Sequence, residues 1–118
     1  MERSPELEAW ARELFASGDP ARIAAAHSQA PDVLVIGSDA NEWIEGGEAV
    51  QRIWAEQARL EVEVEDVRCY EEGSVSWMAG RVKFTLPDGS TVPARVTGVA
   101  HRENGNWKIV QSHTSVGQ

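Results

Sequence analysis

The sequence predicts an α+β domain, with three helices in the first half covering one face of a mainly antiparallel sheet formed by the second half. Two observations carry this. Apolar residues recur at helical spacing up to about Leu60 and at a period of two beyond it. The second half is also punctuated by three segments ending in glycine, Glu71-Glu72-Gly73, Pro87-Asp88-Gly89 and Glu103-Asn104-Gly105, each suited to a hairpin turn. A chain of 118 residues supports one hydrophobic core, so residues 1–118 are read as a single domain.

In order along the chain, Ser4-Pro5-Glu6 supplies an N-cap, a proline for the first helical position and an acid for the first turn. Leu7, Trp10, Ala11, Leu14 and Phe15 then mark one helical face. Gly18 ends this helix, and Asp19-Pro20 caps a second one running to about Ala26. Val33-Leu34-Val35-Ile36, set off by Pro31 and Gly37, reads as a buried strand, with Glu42-Trp43-Ile44-Glu45 as its short return. After Gly46-Gly47, the residues Val50, Ile53, Trp54 and Gln57 mark a third helix ending near Leu60.

The three glycine-ended segments suit three-residue hairpin loops, a type I turn closed by glycine in the left-handed region. That loop length puts Val67 opposite Trp77, Glu65 opposite Ala79, Glu63 opposite Arg81, and Glu61 opposite Lys83. It also sets Ala79 against Thr97, Arg81 against Arg95, and Arg95 against His113. A two-residue Asn-Gly loop in the last hairpin would instead put Arg95 opposite Thr114, and a β-bulge would move later residues to the other face. The other face, with Val62, Val64, Val82, Phe84, Ala94 and Val96, is also too apolar to stand in water along its whole length.

The formal charge of -8 is spread along the chain, which argues against nucleic acid and anionic membranes as partners. Cys69 is the single cysteine, so no internal disulfide forms. There is no apolar run of about 20 residues to cross a membrane and no secretory signal in Met-Glu-Arg-Ser-Pro; the expected location is the cytoplasm. His27, His101 and His113 are scattered without a His/Cys cluster, and Gly46-Gly47 lacks the pattern of a phosphate loop, so no metal or cofactor is expected.

Leu14-Phe15-Ala16-Ser17-Gly18-Asp19, Val33-Leu34-Val35-Ile36-Gly37-Ser38-Asp39 with Glu42-Trp43 and Gly46, and Asn104-Gly105-Asn106-Trp107-Lys108-Ile109-Val110 with His113-Thr114-Ser115 resemble the SnoaL-like and ketosteroid-isomerase-like branch of the nuclear transport factor 2 superfamily. The resemblance covers nearly the whole chain. It implies a strongly curved sheet wrapped around the helices as a cone, a pocket in its mouth, and a homodimer through the outer sheet face. It does not fix a reaction, since this fold carries isomerases, cyclases, dehydratases and non-catalytic domains. The isomerases' aspartate base, oxyanion-hole tyrosine and second aspartate correspond to Gly37, Ala11 and Val99 here, so steroid isomerisation is not expected.

In a cone of this kind the candidate pocket residues are Trp43, Trp54, Trp77, Arg95, Thr97 and His113. Large aromatics with a few polar groups suit a planar or cyclic ligand, and Arg95 beside Thr97 suits an anionic group. Equally, the tryptophans are core and Arg95 pairs with Glu63. His113 is either a pocket histidine or a sheet residue with an ordinary hydrogen bond. Glu65, with no base beside it, and Asp39, near the isomerase base, are the candidate proton acceptors; the bland alternatives are a solvated strand carboxylate and a turn cap. Ser115 lies roughly 6.5 Å from His113 by the rise of a strand, too far for a nucleophile and its base. Two functions from different classes follow: a small-molecule binder, or a cofactor-independent isomerase, cyclase or dehydratase in which Glu65 or Asp39 moves a proton while His113 or Arg95 stabilises an oxyanion. A structural dimerisation domain is the third.

Overall fold

A two-residue strand, β1 (Glu2–Arg3), precedes the first helix, α1 (Pro5–Ser17), in the computed structural model, which describes residues 1–116. Residues 117 and 118, the end of the expected domain, lie outside the described residues. Ser4 caps α1: its hydroxyl accepts from the Leu7 amide at 3.2 Å, and its own amide donates to the Cys69 carbonyl at 2.9 Å. The cap therefore starts the helix and fixes it to the sheet. Glu8 strengthens the tie, accepting from Arg3 Nε at 2.7 Å and the Cys69 amide at 3.1 Å. These two donors hold its carboxyl below the usual carboxylate range.

Gly18, at φ 56, closes α1 in the left-handed region, and Asp19 Oδ1 caps α2 (Pro20–Ala26) by accepting from the Ala21 amide. A Cβ on Gly18 would lie 1.8 Å from the Leu60 carbonyl oxygen. Only glycine lets the corner approach Leu60, whose amide donates to the Gly18 carbonyl at 3.1 Å. This contact also corrects the third helix. Expected to run to Leu60, α3 spans Gly47–Ala55, because residues up to Leu60 must unwind to reach Gly18 in extended form.

The strands β2 (Leu34–Ile36) and β3 (Trp43–Glu45) form the expected short pair, and β4 (Glu61–Glu72), β5 (Val75–Thr85), β6 (Thr91–Glu103) and β7 (Asn106–Val116) form the expected meander. Together with β1 they make one sheet in the order β1-β4-β5-β6-β7-β2-β3, in which only β2 and β7 run parallel. No helix among the described residues is long and apolar enough to cross a membrane.

The middle hairpin has the expected register, with Arg81 opposite Arg95, Ala79 opposite Thr97 and Trp77 opposite Val99. The outer two do not. Glu72 pairs with Val75 and Glu103 with Asn106, leaving two-residue loops, Gly73-Ser74 and Asn104-Gly105. Asn104 (φ 52) and Gly105 (φ 84) are both left-handed, the combination whose twist matches the flanking strands. Glu103 is also held in the ladder, its carboxylate accepting from the Ser28 hydroxyl at 2.6 Å.

Two bulges then change the register again, between Val64 and Asp66 in β4 and after Ile109 in β7. As a result Glu63 faces Lys83 rather than Arg81, Arg95 faces Ser115, and His113 faces Thr97. Arg95 and His113 share a face but are offset by two residues.

On the helix side of the sheet, Val67, Cys69, Met78, Ala100 and Ile109 form one core with Leu7, Ala11 and Leu14 of α1, while Trp10, Phe15 and Trp107 pack at its edge. Each leucine so buried contributes about 1.5–3 kcal/mol. Cys69 is fully buried and burial pushes its thiol up to about 11, which makes it a core residue without nucleophilic character.

Candidate functional site

The other half of the cone is hollow. A cavity of about 290 Å³ opens between α2, α3, the β2–β3 loop and the sheet. Pro20 and Ile23 come from α2, Val50, Ile53 and Trp54 from α3, Val35, Ile36 and Ile44 from β2 and β3, and Val62, Phe84, Thr114 and Val116 from the inner face of the sheet. The walls are set by backbone ties. Gln51 Nε2 donates to the Ala24 carbonyl at 2.7 Å, joining α3 to α2, and the Gly46 amide donates to the Val33 carbonyl at 2.7 Å. A Cβ on Gly47 would fall 2.3 Å from the Gln29 carbonyl carbon, so the start of α3 lies directly against the α2–β2 connection.

The lining is aliphatic and aromatic with four polar side chains, Ser38, Glu42, Gln57 and Thr114. Glu42 is the one carboxylate among them. Its Oε1 accepts from the Asp39 amide at 2.9 Å, and the same oxygen is 2.8 Å from where a Cβ on residue 37 would stand. The glutamate chain thus fills the space beside Gly37 at the exposed rim of the cavity.

Of the residues expected from sequence, Trp54 lines this cavity. Its ring lies 6.2 Å from that of His27. Trp43 is on β3 and 57% exposed, and Asp39 is a turn residue whose Oδ1 accepts from the Asn41 amide at 2.9 Å; neither belongs to the lining. Glu65, Trp77, Arg95, Thr97 and His113 all lie on the outer face of the sheet, away from the helices. Glu65, at the β4 bulge, is 3.6 Å from Lys83, and Trp77 stacks on Tyr70 with ring centroids 4.6 Å apart. Their expected convergence inside the cone is corrected: Trp77, Arg95 and Thr97 keep the expected β5–β6 register, but the helices cover the even-numbered face of that hairpin, and at His113 the two-residue turn and the β7 bulge together leave the side chain on the same outer face.

Sequence reasoning missed Glu42, Gln57 and Thr114 as pocket residues. The signal for the inner face was present in the apolar alternation of Val62, Val64, Val82 and Phe84, which is the set that faces the helices and the cavity.

Two buried polar residues adjoin this architecture. His27, 3% exposed, has Nδ1 2.8 Å from the Ile23 carbonyl and, among the described residues, no partner for Nε2, and burial pushes its pKa down. Ser28, 1% exposed, donates to Glu103, and His101 Nδ1 is 3.5 Å from the same carboxylate oxygen. The carboxylate lies between serine and histidine, so this trio ties the last hairpin to the α2–β2 connection and does not activate the hydroxyl. Among the described residues no group of three or more His, Cys, Asp or Glu could hold a metal ion.

The SnoaL-like domain family matches the chain over residues 7–118. Among solved structures, a candidate ketosteroid isomerase from Parabacteroides distasonis superposes with a TM-score of 0.80 at 18% identity, over 95% of this chain and 86% of the other. A protein of unknown function from Pseudomonas putida, like nuclear transport factor 2 in fold, gives 0.75 at 16% identity, over 96% and 88%. Nuclear transport factor 2 from Cryptosporidium parvum gives 0.67 at 16%, over 95% and 90%. At these identities the likeness establishes the fold. No curated protein sequence matches the chain significantly.

Proposed function

Since this chain belongs to the SnoaL-like domain family, we propose that it uses the cone cavity to bind a small, largely apolar cyclic or aromatic molecule carrying one hydrogen-bond donor. The observation behind this reading is the lining. A hollow of about 290 Å³ with Ile23, Val35, Ile53, Trp54, Val62 and Phe84 on its walls is near the lower end of the ~300–1,000 Å³ range of small-molecule pockets. That suits a molecule of one or two rings. Apolar walls supply binding by removing ligand surface from water, and Glu42 supplies an acceptor that orients a hydroxyl or N–H group. Proton-transfer chemistry in this cavity would fall to Glu42, because Asp39 and Glu65 are outside the lining.

The test uses 1-naphthol as a neutral two-ring probe with one hydroxyl. Titration followed by tryptophan fluorescence should saturate. Val62→Trp, which fills the hollow from the sheet side, should abolish binding while leaving the melting temperature within a few degrees. Glu42→Ala should weaken binding about tenfold, the value of one hydrogen bond to a charged acceptor. Binding that survives Val62→Trp places the ligand elsewhere and refutes the proposal.

A further inference from the structure

The outer face of the sheet contains two adjacent arginines that form no ion pair among the described residues, although Asp66 stands opposite one of them, Arg81. Arg81 on β5 and Arg95 on β6 are direct cross-strand partners, and both are exposed. Like charges so placed destabilise a sheet. Next to them the sequence does provide compensation: Lys83 is 3.6 Å from Glu65, and Arg68 is 3.6 Å from Asp66. Among the described residues, neither Arg81 nor Arg95 has a carboxylate within ion-pair distance.

The pair borders a groove of about 320 Å³ lined by Asp66, Arg68, Ala79, Arg81, Arg95 and Thr97. Ala79 lies opposite Thr97 at its floor, and the small side chain leaves the hollow open between the three arginines. Directly opposed residues have Cβ atoms about 4.5–5.5 Å apart and diagonal ones about 7–8 Å, so Arg81, Arg95 and, from the diagonal, Arg68 can turn their donor forks onto one small anion. Thr97 adds a hydroxyl donor from the same face. Three arginines less Asp66 leave a local charge of +2 (3 − 1) in a chain whose formal total is -8.

The geometry points to an oxyanion-binding site on this face, taking the dianionic phosphate group of a small molecule. The local charge matches a phosphate monoester, which carries roughly −1.5 to −2 at neutral pH. Size is limited by Glu61, Glu63 and Glu65, which follow on the same face of β4 beyond the arginines and repel an extended polyanion such as a nucleic-acid backbone. The site is separate from the cone cavity and does not rest on its occupancy.

The test measures binding of inorganic phosphate by calorimetry at pH 7.5, with chloride at matched ionic strength as reference. Glycerol 3-phosphate serves as a second arm: equal affinity assigns the site to phosphate itself, and tighter binding to a phosphorylated organic molecule. Arg81→Gln and Arg95→Gln should each weaken phosphate binding at least tenfold, and Arg52→Gln, an exposed helix position remote from the groove, should leave it unchanged. Misfolding is separated by melting in phosphate-free buffer, where Arg95→Gln, which removes one of two like charges, should be at least as stable as the wild type and Arg81→Gln, which also loses its opposition to Asp66, should melt within a few degrees of it. A wild type that responds to phosphate no more than to chloride, or variants with undiminished affinity, would overturn the assignment. So would a protein that sediments as a dimer and binds no phosphate, which would give this face to a second copy.

Discussion

Lowering the pH from 6.5 to 5 should destabilise this protein through His27. The ring is 3% exposed, Nδ1 engages the Ile23 carbonyl at 2.8 Å, and Nε2 has no partner among the described residues. A second proton would therefore put a charge in the core with nothing to accept it, which is why burial lowers the pKa. The unfolded chain binds that proton near the ordinary histidine value, ~6.5. Stability from the neutral ring is thus fully present above that value and is lost as pH falls below it, until the folded-state pKa is reached. The limiting slope is about 1.4 kcal/mol per pH unit for one proton. At roughly 2.1 cal/mol/K of unfolding entropy per residue, 118 residues convert this to a fall of about 6 °C in melting temperature per unit. The assay is a series of thermal melts between pH 5 and 7 on wild type and His27→Asn, whose amide keeps a donor for Ile23. The variant should be less stable at pH 7 and show a much shallower slope across the range, every other titratable group being common to both proteins. Parallel slopes in the two proteins would refute the argument.

Gly18→Ala should cost more than 2 kcal/mol in urea unfolding, combining about 1 kcal/mol for an alanine at φ 56 with displacement of the Leu60 carbonyl 1.8 Å from the new Cβ. Asn104→Ala should cost about 1 kcal/mol, and Asn104→Gly close to nothing, because the turn needs left-handed backbone at this position; equal losses would remove the turn as the cause. Cys69 should resist a thiol reagent at pH 8 and react at a rate that follows global unfolding as urea rises, since it is fully buried with its pKa raised to about 11; rapid labelling without urea would contradict its place in the core.

Local chemistry made the helical half readable. Ser4, Pro5, Gly18, Asp19 and Pro20 each have one strong physical use at a helix end, and their order leaves little choice of boundaries. The Pro87-Asp88-Gly89 loop was legible for the same reason, and it fixed β5 against β6. The candidate site was less legible, because which residues enter the cavity depends on strand parity. Parity is changed by a single residue in a turn or bulge, and neither Glu65 nor Val110 has a side chain that announces a bulge. The small strand β1 likewise gave no signal, since two residues carry no period.

Those two irregularities decide the character of the cavity. Across the regular pair β5 and β6, even-numbered positions such as Met78, Val82, Ala94 and Ala100 stay on the helix side throughout. In β4 and β7 the core end instead presents odd positions, Val67, Cys69 and Ile109, to α1. Had both strands continued without interruption, Glu63 and Glu61 on one side and His113 and Ser115 on the other would have entered the hollow. The bulges turn these polar residues outward and bring Val62, Thr114 and Val116 in. A one-residue deletion beyond either bulge should show this. Deleting Ser112, just past the bulge in β7, would leave Gln111 opposite Val99 but bring His113 opposite Gly98, into the apolar hollow, and move Thr114 and Val116 to the outer face. The expected cost is several kcal/mol, because an imidazole would be buried without a partner while apolar surface was exposed. The deletion should also abolish 1-naphthol binding. Retention of both stability and binding would show that β7 absorbs the deletion by closing its bulge and that the bulge does not govern the cavity.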